Sequence, residues 1–120
     1  MRIAFQGAAG AYSETAALRG WPQAEAVAME RFEDVFEAVA SGRTSHGILP
    51  VENSIGGSIH RNYDLLLERD LPIVAETELP VSHNLLALPG TSLEGVKRVF
   101  SHPQGLAQCE MFLHTLPGVE

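Results

Sequence analysis

The sequence predicts an α/β fold with a mainly parallel sheet. Strand-like and helix-like segments alternate from Ile3 to Arg69, and several strand ends run into hydroxyl- and amide-rich turns that open helices. Residues 3–5 read as the first strand, ending in the loop Gln6-Gly7-Ala8-Ala9-Gly10-Ala11-Tyr12. Ser13 is expected to cap a helix running to about Arg19, with Glu14 near the positive end of its dipole and Gly20, Trp21 and Pro22 stopping it. A weak strand at 24–28 precedes a second helix at 33–41. The apolar positions Val35, Phe36, Val39 and Ala40 have helical spacing, and Gly42 stands where a C′ glycine belongs. Residues 47–51 form the third strand. The third helix, 58–69, is expected to bury Ile59, Tyr63, Leu66 and Leu67, positions i, i+4, i+7 and i+8.

After Asp70 the rhythm changes. Residues 73–79 and 85–88 are strand-like, and Pro72 and Pro80 argue against a central strand running through either site. Such an extended stretch suits a crossing from one lobe to another. A short helix is expected at 91–95 and a strand at 98–100. Ser101-His102-Pro103 opens a last helix with Leu106, Cys109, Phe112, Leu113 and Leu116 on its apolar side, ended by Pro117 and Gly118.

Composition narrows the function classes. The chain has 120 residues, 45% hydrophobic and 19% charged, as in a globular protein rather than a disordered one. Net charge is −7 with no basic stripe, which argues against a nucleic-acid surface. No apolar run approaches the roughly 20 residues that span a bilayer. The strand-like start at Met1-Arg2-Ile3-Ala4-Phe5 leaves no room for a signal peptide. The single cysteine, Cys109, excludes an internal disulfide, and the expected location is cytoplasmic.

Three turns resemble one another: 6–13, 52–58 and 101–104. Parallel strands bring such turns to one sheet edge, where helix N–H groups and neutral donors suit a carboxylate ligand. The densest is Ile48-Leu49-Pro50-Val51-Glu52-Asn53-Ser54-Ile55-Gly56-Gly57-Ser58. Other chemistries find less support. Gly7-Ala8-Ala9-Gly10 lacks the G-x-G-x-x-G spacing of a dinucleotide site, and no Walker lysine is present. The five histidines offer no close metal-ligand pair with a third ligand. Ser82 and Ser101 each precede a histidine but lack a glycine-flanked nucleophile elbow. Cys109 reads as a packed helix residue and Trp21 as packing at a helix end.

Taken together these segments resemble the prephenate dehydratase family. Gln6-Gly7 through Gly10-Ala11-Tyr12-Ser13 resembles its opening glycine loop. Pro50-Val51-Glu52-Asn53-Ser54 with Gly57 resembles its P-x-E-N-S-x-x-G signature. Leu79-Pro80-Val81-Ser82-His83-Asn84 looks like the passage between lobes, and Ser101-His102-Pro103-Gln104-Gly105-Leu106-Ala107-Gln108-Cys109 resembles S-H-P-Q-A-L-x-Q-C. Departures are Ala8 and Ala11 for the usual proline and threonine, though G-A-Y-S-E also occurs in arogenate dehydratases, and Gly105 for the usual alanine.

The resemblance implies a two-lobed, periplasmic-binding-protein-like (type II) α/β catalytic domain, here truncated. Residues 1–79 would form lobe 1 and 80–120 the incomplete start of lobe 2. The T-R-F motif, with the family's catalytic threonine, and the phenylalanine-sensing ACT domain are expected beyond Glu120. The implied activity is a carbon–oxygen lyase of phenylalanine biosynthesis that converts prephenate to phenylpyruvate without metal or redox cofactor. By motif position Asn53, Ser101 and Gln108 are expected as substrate-positioning donors, with Ser54, Ser82, His83 and Gln104 as second-rank candidates for the same substrate-binding work. Glu52, a carboxylate that would repel a dianion, is expected to brace its loop by accepting backbone N–H bonds. The partner is prephenate or arogenate, and self-association is expected. The alternative is a non-catalytic carboxylate-binding module of the same fold.

Overall fold

The computed structural model describes residues 1–54 and 57–119, so the expectations that touch Ile55, Gly56 and Glu120 lie outside the described residues. The chain divides into two compact units, Met1–Pro80 and Val81–Glu120.

In the first unit, β1 (Arg2–Gln6) is the middle strand of a parallel sheet, with β2 (Glu25–Met29) on one side and β3 (His46–Gly47) on the other. Arg2 lies opposite Glu25, Gln6 opposite Met29, and Ile3 opposite His46. A central strand is covered on both faces, which explains the uninterrupted buried run Ile3, Ala4 and Phe5. Helices α1 (Tyr12–Gly20) and α2 (Phe32–Ala40) cover the sheet, α1 through Ala16 and Ala17 and α2 through Val35, Phe36 and Ala38. Helix α2 lies so close to β3 that a Cβ at Gly47 would stand 2.7 Å from Val35 Cγ1 and 3.2 Å from Val39 Cγ2. Gly42, with φ of +76°, follows the helix in the left-handed conformation expected of a C′ residue.

Several expectations are corrected. The cap of α1 is Ala11, not Ser13. The Ala8–Ala11 turn admits the helix early, and the Glu14 carboxylate accepts the Gly10 N–H at 2.6 Å in place of a hydroxyl cap. On α2 the buried small residue is Ala38, while Ala40 is exposed. The third strand is shorter than 47–51. Its pairing to β1 ends with the Ile48 N–H donating to the Ala4 carbonyl, and Pro50 has no N–H to continue it.

Helix α3 (His60–Glu68) buries Asn62 and Leu65 rather than the face expected from periodicity; Leu66 is half-buried and Leu67 is 87% exposed. Two polar contacts, described below, turn the helix away from its apolar count. Residues 73–79, expected as strand-like, form no strand and have no ladder partner among the described residues. Beside β3 and residues 71–77 lies an apolar cleft of about 430 Å³, with Trp21 and Phe36 in its wall.

In the second unit the short helix appears as one 3₁₀ turn, Leu93–Gly95, with the Ser92 hydroxyl accepting the Gly95 N–H at 3.2 Å. Residues 85–88 and 98–100, expected as strands, have no ladder partner among the described residues. A single strand without a neighbour leaves its backbone unsatisfied, so the pattern alone does not make one. The last helix is two: α4 (Pro103–Gln108) and α5 (Glu110–Leu113). The break falls at Cys109, whose N–H is shared between the Gly105 and Leu106 carbonyls. Of the apolar positions expected there, Leu116 is buried, Leu106, Cys109 and Leu113 are half-buried, and Phe112 is exposed.

Candidate functional site

In the first turn, Gly7 adopts φ of +130° and its N–H donates to the Met29 carbonyl, extending the β1–β2 ladder. Gln6 Nε2 donates to the Glu30 carbonyl at 3.1 Å. Because Glu14 already accepts the Gly10 N–H, this end of α1 carries its own counter-anion.

The second turn is a hairpin. Strands β4 (Glu52–Asn53) and β5 (Gly57–Ser58) pair antiparallel, Glu52 opposite Ser58 and Asn53 opposite Gly57. Gly57, at φ of +73°, adopts the left-handed conformation that favours glycine. Asn53 is half-buried and Ser54 exposed. The Glu52 carboxylate ties the loop through side-chain donors rather than through backbone N–H groups as expected: Tyr63 Oη donates to its Oε1 at 3.0 Å and Ser58 Oγ at 3.5 Å. The hydrogen bond to the Glu52 carboxylate, and after it desolvation, pushes the Tyr63 hydroxyl above its ordinary pKa. The Ile59 N–H donates to the Val51 carbonyl at 2.8 Å, and Asn62 Nδ2 to the Pro50 carbonyl at 2.7 Å.

In the second unit, the His83 ring Nε2 and the Gln108 Oε1 share a hydrogen bond of 2.6 Å, bringing together two residues distant in sequence. Asn84 Nδ2 donates to the Ser82 carbonyl at 3.1 Å. The first turn of α4 is capped by the His102 ring, whose Nδ1 accepts the Gln104 N–H at 3.2 Å. Ser101 and Gln104 are exposed, and Gln108 is half-buried. Ser101 Oγ occupies space that Gly105 leaves open: a Cβ on Gly105 would lie 2.9 Å from it.

Sequence reading missed Tyr63, assigned to the core by its spacing, and Asn62 and His102, whose roles depend on contacts that spacing does not encode. Four arginines are committed to carboxylates: Arg2 pairs with Glu25, Arg31 with Asp34, Arg61 with Glu33 and Arg69 with Glu37. Among the described residues no group of three or more His, Cys, Asp or Glu side chains is placed to hold a metal ion, and no helix is long and apolar enough to cross a membrane.

A parallel α/β unit with a braced Glu-Asn hairpin, followed by a unit carrying a Ser-His-Pro-Gln helix start, defines the class as an α/β protein with polar turns at the starts of its helices. The family model for prephenate dehydratase matches residues 3–120, and the chain belongs to that family. It is 57% identical over 116 residues to arogenate dehydratase/prephenate dehydratase 6, chloroplastic, of Arabidopsis thaliana, covering 97% of this chain and 27% of that protein. Among solved structures, prephenate dehydratase in complex with L-Phe from Arthrobacter aurescens matches 100% of this chain and 41% of that one, with TM-score 0.89 and 27% identity. A structure described as GqqA, a novel type of quorum quenching acylase, matches 100% of this chain and 45% of its own, with TM-score 0.80 and 36% identity. The chain thus spans about a quarter of the curated relative's length.

Proposed function

We propose that this chain is the substrate-holding part of a prephenate or arogenate dehydratase. The family match over residues 3–120 carries the reading, and the braced hairpin around Asn53 supports it. Prephenate is a dicarboxylate whose ring becomes aromatic as hydroxyl and ring carboxylate depart, so CO2 and water leave and phenylpyruvate remains. With that intrinsic drive, the protein's work is to hold the dianion, align the leaving groups and protonate the departing hydroxyl. Asn53, Ser101 and Gln108 act as neutral donors to the substrate, and Ser54, Ser82, His83 and Gln104 are the second candidates for the same substrate binding. The hydrogen bond between His83 and Gln108 favours treating those two as one unit. Glu52, engaged by Tyr63 and Ser58, holds the loop rather than the substrate.

Residues 1–79 correspond in this reading to lobe 1 and 80–120 to the start of lobe 2. The T-R-F motif that the resemblance gives as the carrier of the proton-donating threonine does not occur in these 120 residues, and the 120-residue chain assayed by itself is expected to form no phenylpyruvate. Self-association and a cytoplasmic location complete the reading; light scattering tests the first and imaging of the tagged natural gene product the second. Imaging that finds the product in a chloroplast, the location in the name of the Arabidopsis relative, would replace the cytoplasmic assignment.

The test is to assay the natural gene product with prephenate and with arogenate, following phenylpyruvate and phenylalanine. Turnover of either supports the reading and names the substrate. Binding of either without turnover would instead favour a carboxylate-binding module.

A further inference from the structure

We propose that Asn62 is a positioning residue of this site, setting the Glu52–Asn53 strand through the Pro50 carbonyl; the inference rests on the dehydratase reading above. Three consecutive residues before Asn53 are tied to the start of α3. Pro50 is held by Asn62, Val51 by the Ile59 N–H, and Glu52 by the Tyr63 hydroxyl, at 2.7, 2.8 and 3.0 Å. Ile59, Asn62 and Tyr63 are i, i+3 and i+4, neighbours on one helical face. That face serves as a template for the strand that presents Asn53.

Asn62 is the costly member of the set. Its residue is 0% exposed, and full burial is unusual for asparagine. Its Nδ2 meets the Pro50 carbonyl, while its Oδ1 is buried without a partner among the described residues. A buried amide with one end unpaired disfavours folding relative to an apolar side chain of similar size. Leucine would fill the same volume but leave the Pro50 carbonyl without this donor. The amide therefore fits a requirement on the position of the 50–53 segment better than a requirement of the core.

The experiment uses the natural gene product, with kcat and KM measured for wild type, Asn62→Leu, Asn53→Ala and the double variant. Asn62→Leu is expected to lower kcat/KM roughly tenfold or more. In the Asn53→Ala background the same change should cost less than about twofold, because the residue being positioned is already gone. Equal losses in both backgrounds, or no loss, would overturn the proposal, since a merely structural asparagine gives additive effects. Should Asn62→Leu fail to fold, Tyr63→Phe tests the same template by removing one partly exposed hydroxyl. Its expected loss of about threefold must likewise vanish beside Asn53→Ala, and full activity or additivity counts against the template. An inactive wild type sinks the dehydratase reading and this inference together, whereas a fully active Asn62→Leu sinks the inference alone.

Discussion

Gly47 and Asn53 mark two kinds of demand on a single residue. At Gly47 the demand is space. The methyl of an alanine would stand 2.7 Å from Val35 Cγ1, a packed side chain near its backbone rather than the end of a flexible one, so either α2 or β3 must shift. Gly47→Ala should destabilise the first unit by about 1–3 kcal/mol, read as a lower urea midpoint with an unchanged slope. At Asn53 the demand is a neutral donor. Asn53→Ala in the natural gene product should reduce kcat/KM for prephenate or arogenate by roughly 10²-fold, with little change in the thermal midpoint. A variant that keeps full turnover would remove Asn53 from the site. The two residues also differ in legibility. Asn53 stands in a contiguous motif, whereas the need for glycine at 47 comes from Val35 and Val39 on a different element. Gly42 was readable because a helix end announces its C′ glycine locally.

At the scale of elements, α2 and α3 show where hydrophobic periodicity is sufficient and where it fails. Helix α2 packs an apolar face on the sheet, and its period marked Val35 and Phe36 correctly. Helix α3 meets a loop as well as a core, so two of its inward contacts are polar, through Asn62 and Tyr63, and the apolar count misassigned Tyr63 and Leu67. The strands at 85–88 and 98–100 were misread for a related reason: a β-prone run becomes a strand only when a neighbour pairs with it.

The start of α2 also carries a pH response. The Asp34 carboxylate accepts the Arg31 N–H at 3.1 Å and faces its guanidinium at 3.0 Å. The side-chain hydrogen bond from Arg31 is the main cause that holds its pKa below the ordinary aspartate value. A carboxyl with a depressed folded pKa contributes stability in full above its unfolded pKa and loses it as pH falls through the folded one. Wild type should therefore lose more stability between about pH 6 and about pH 2.5 than Asp34→Asn does, measured as the shift in urea midpoint. The difference is small because the pair is solvent-exposed, and parallel curves for the two proteins would exclude the contribution.

For the whole molecule, the distribution of buried apolar side chains separates the two units. Ile3, Ala4, Phe5, Ala16, Ala17, Met29, Val35, Phe36, Ala38 and Leu65 are buried in the first unit, and among the described residues of the second only Leu116, at 9%, joins them. Among the described residues the first unit also holds both sheets, while the second has two short helices and one 3₁₀ turn as its regular structure. Chains near 40 residues bury too small a fraction of their surface to offset chain entropy without a disulfide, a metal or a partner, and Cys109 is the lone cysteine of this sequence. Met1–Pro80 expressed alone should therefore give a cooperative thermal transition by circular dichroism and dispersed amide resonances. Val81–Glu120 alone should melt without a sigmoid and show collapsed dispersion. The reverse outcome, or cooperative melting of both pieces, would mean that the second unit draws stability from interactions other than a buried core of its own. Adding the first piece to the second separates independent folding from folding on contact: restored dispersion in the labelled second piece would show that its order depends on the first.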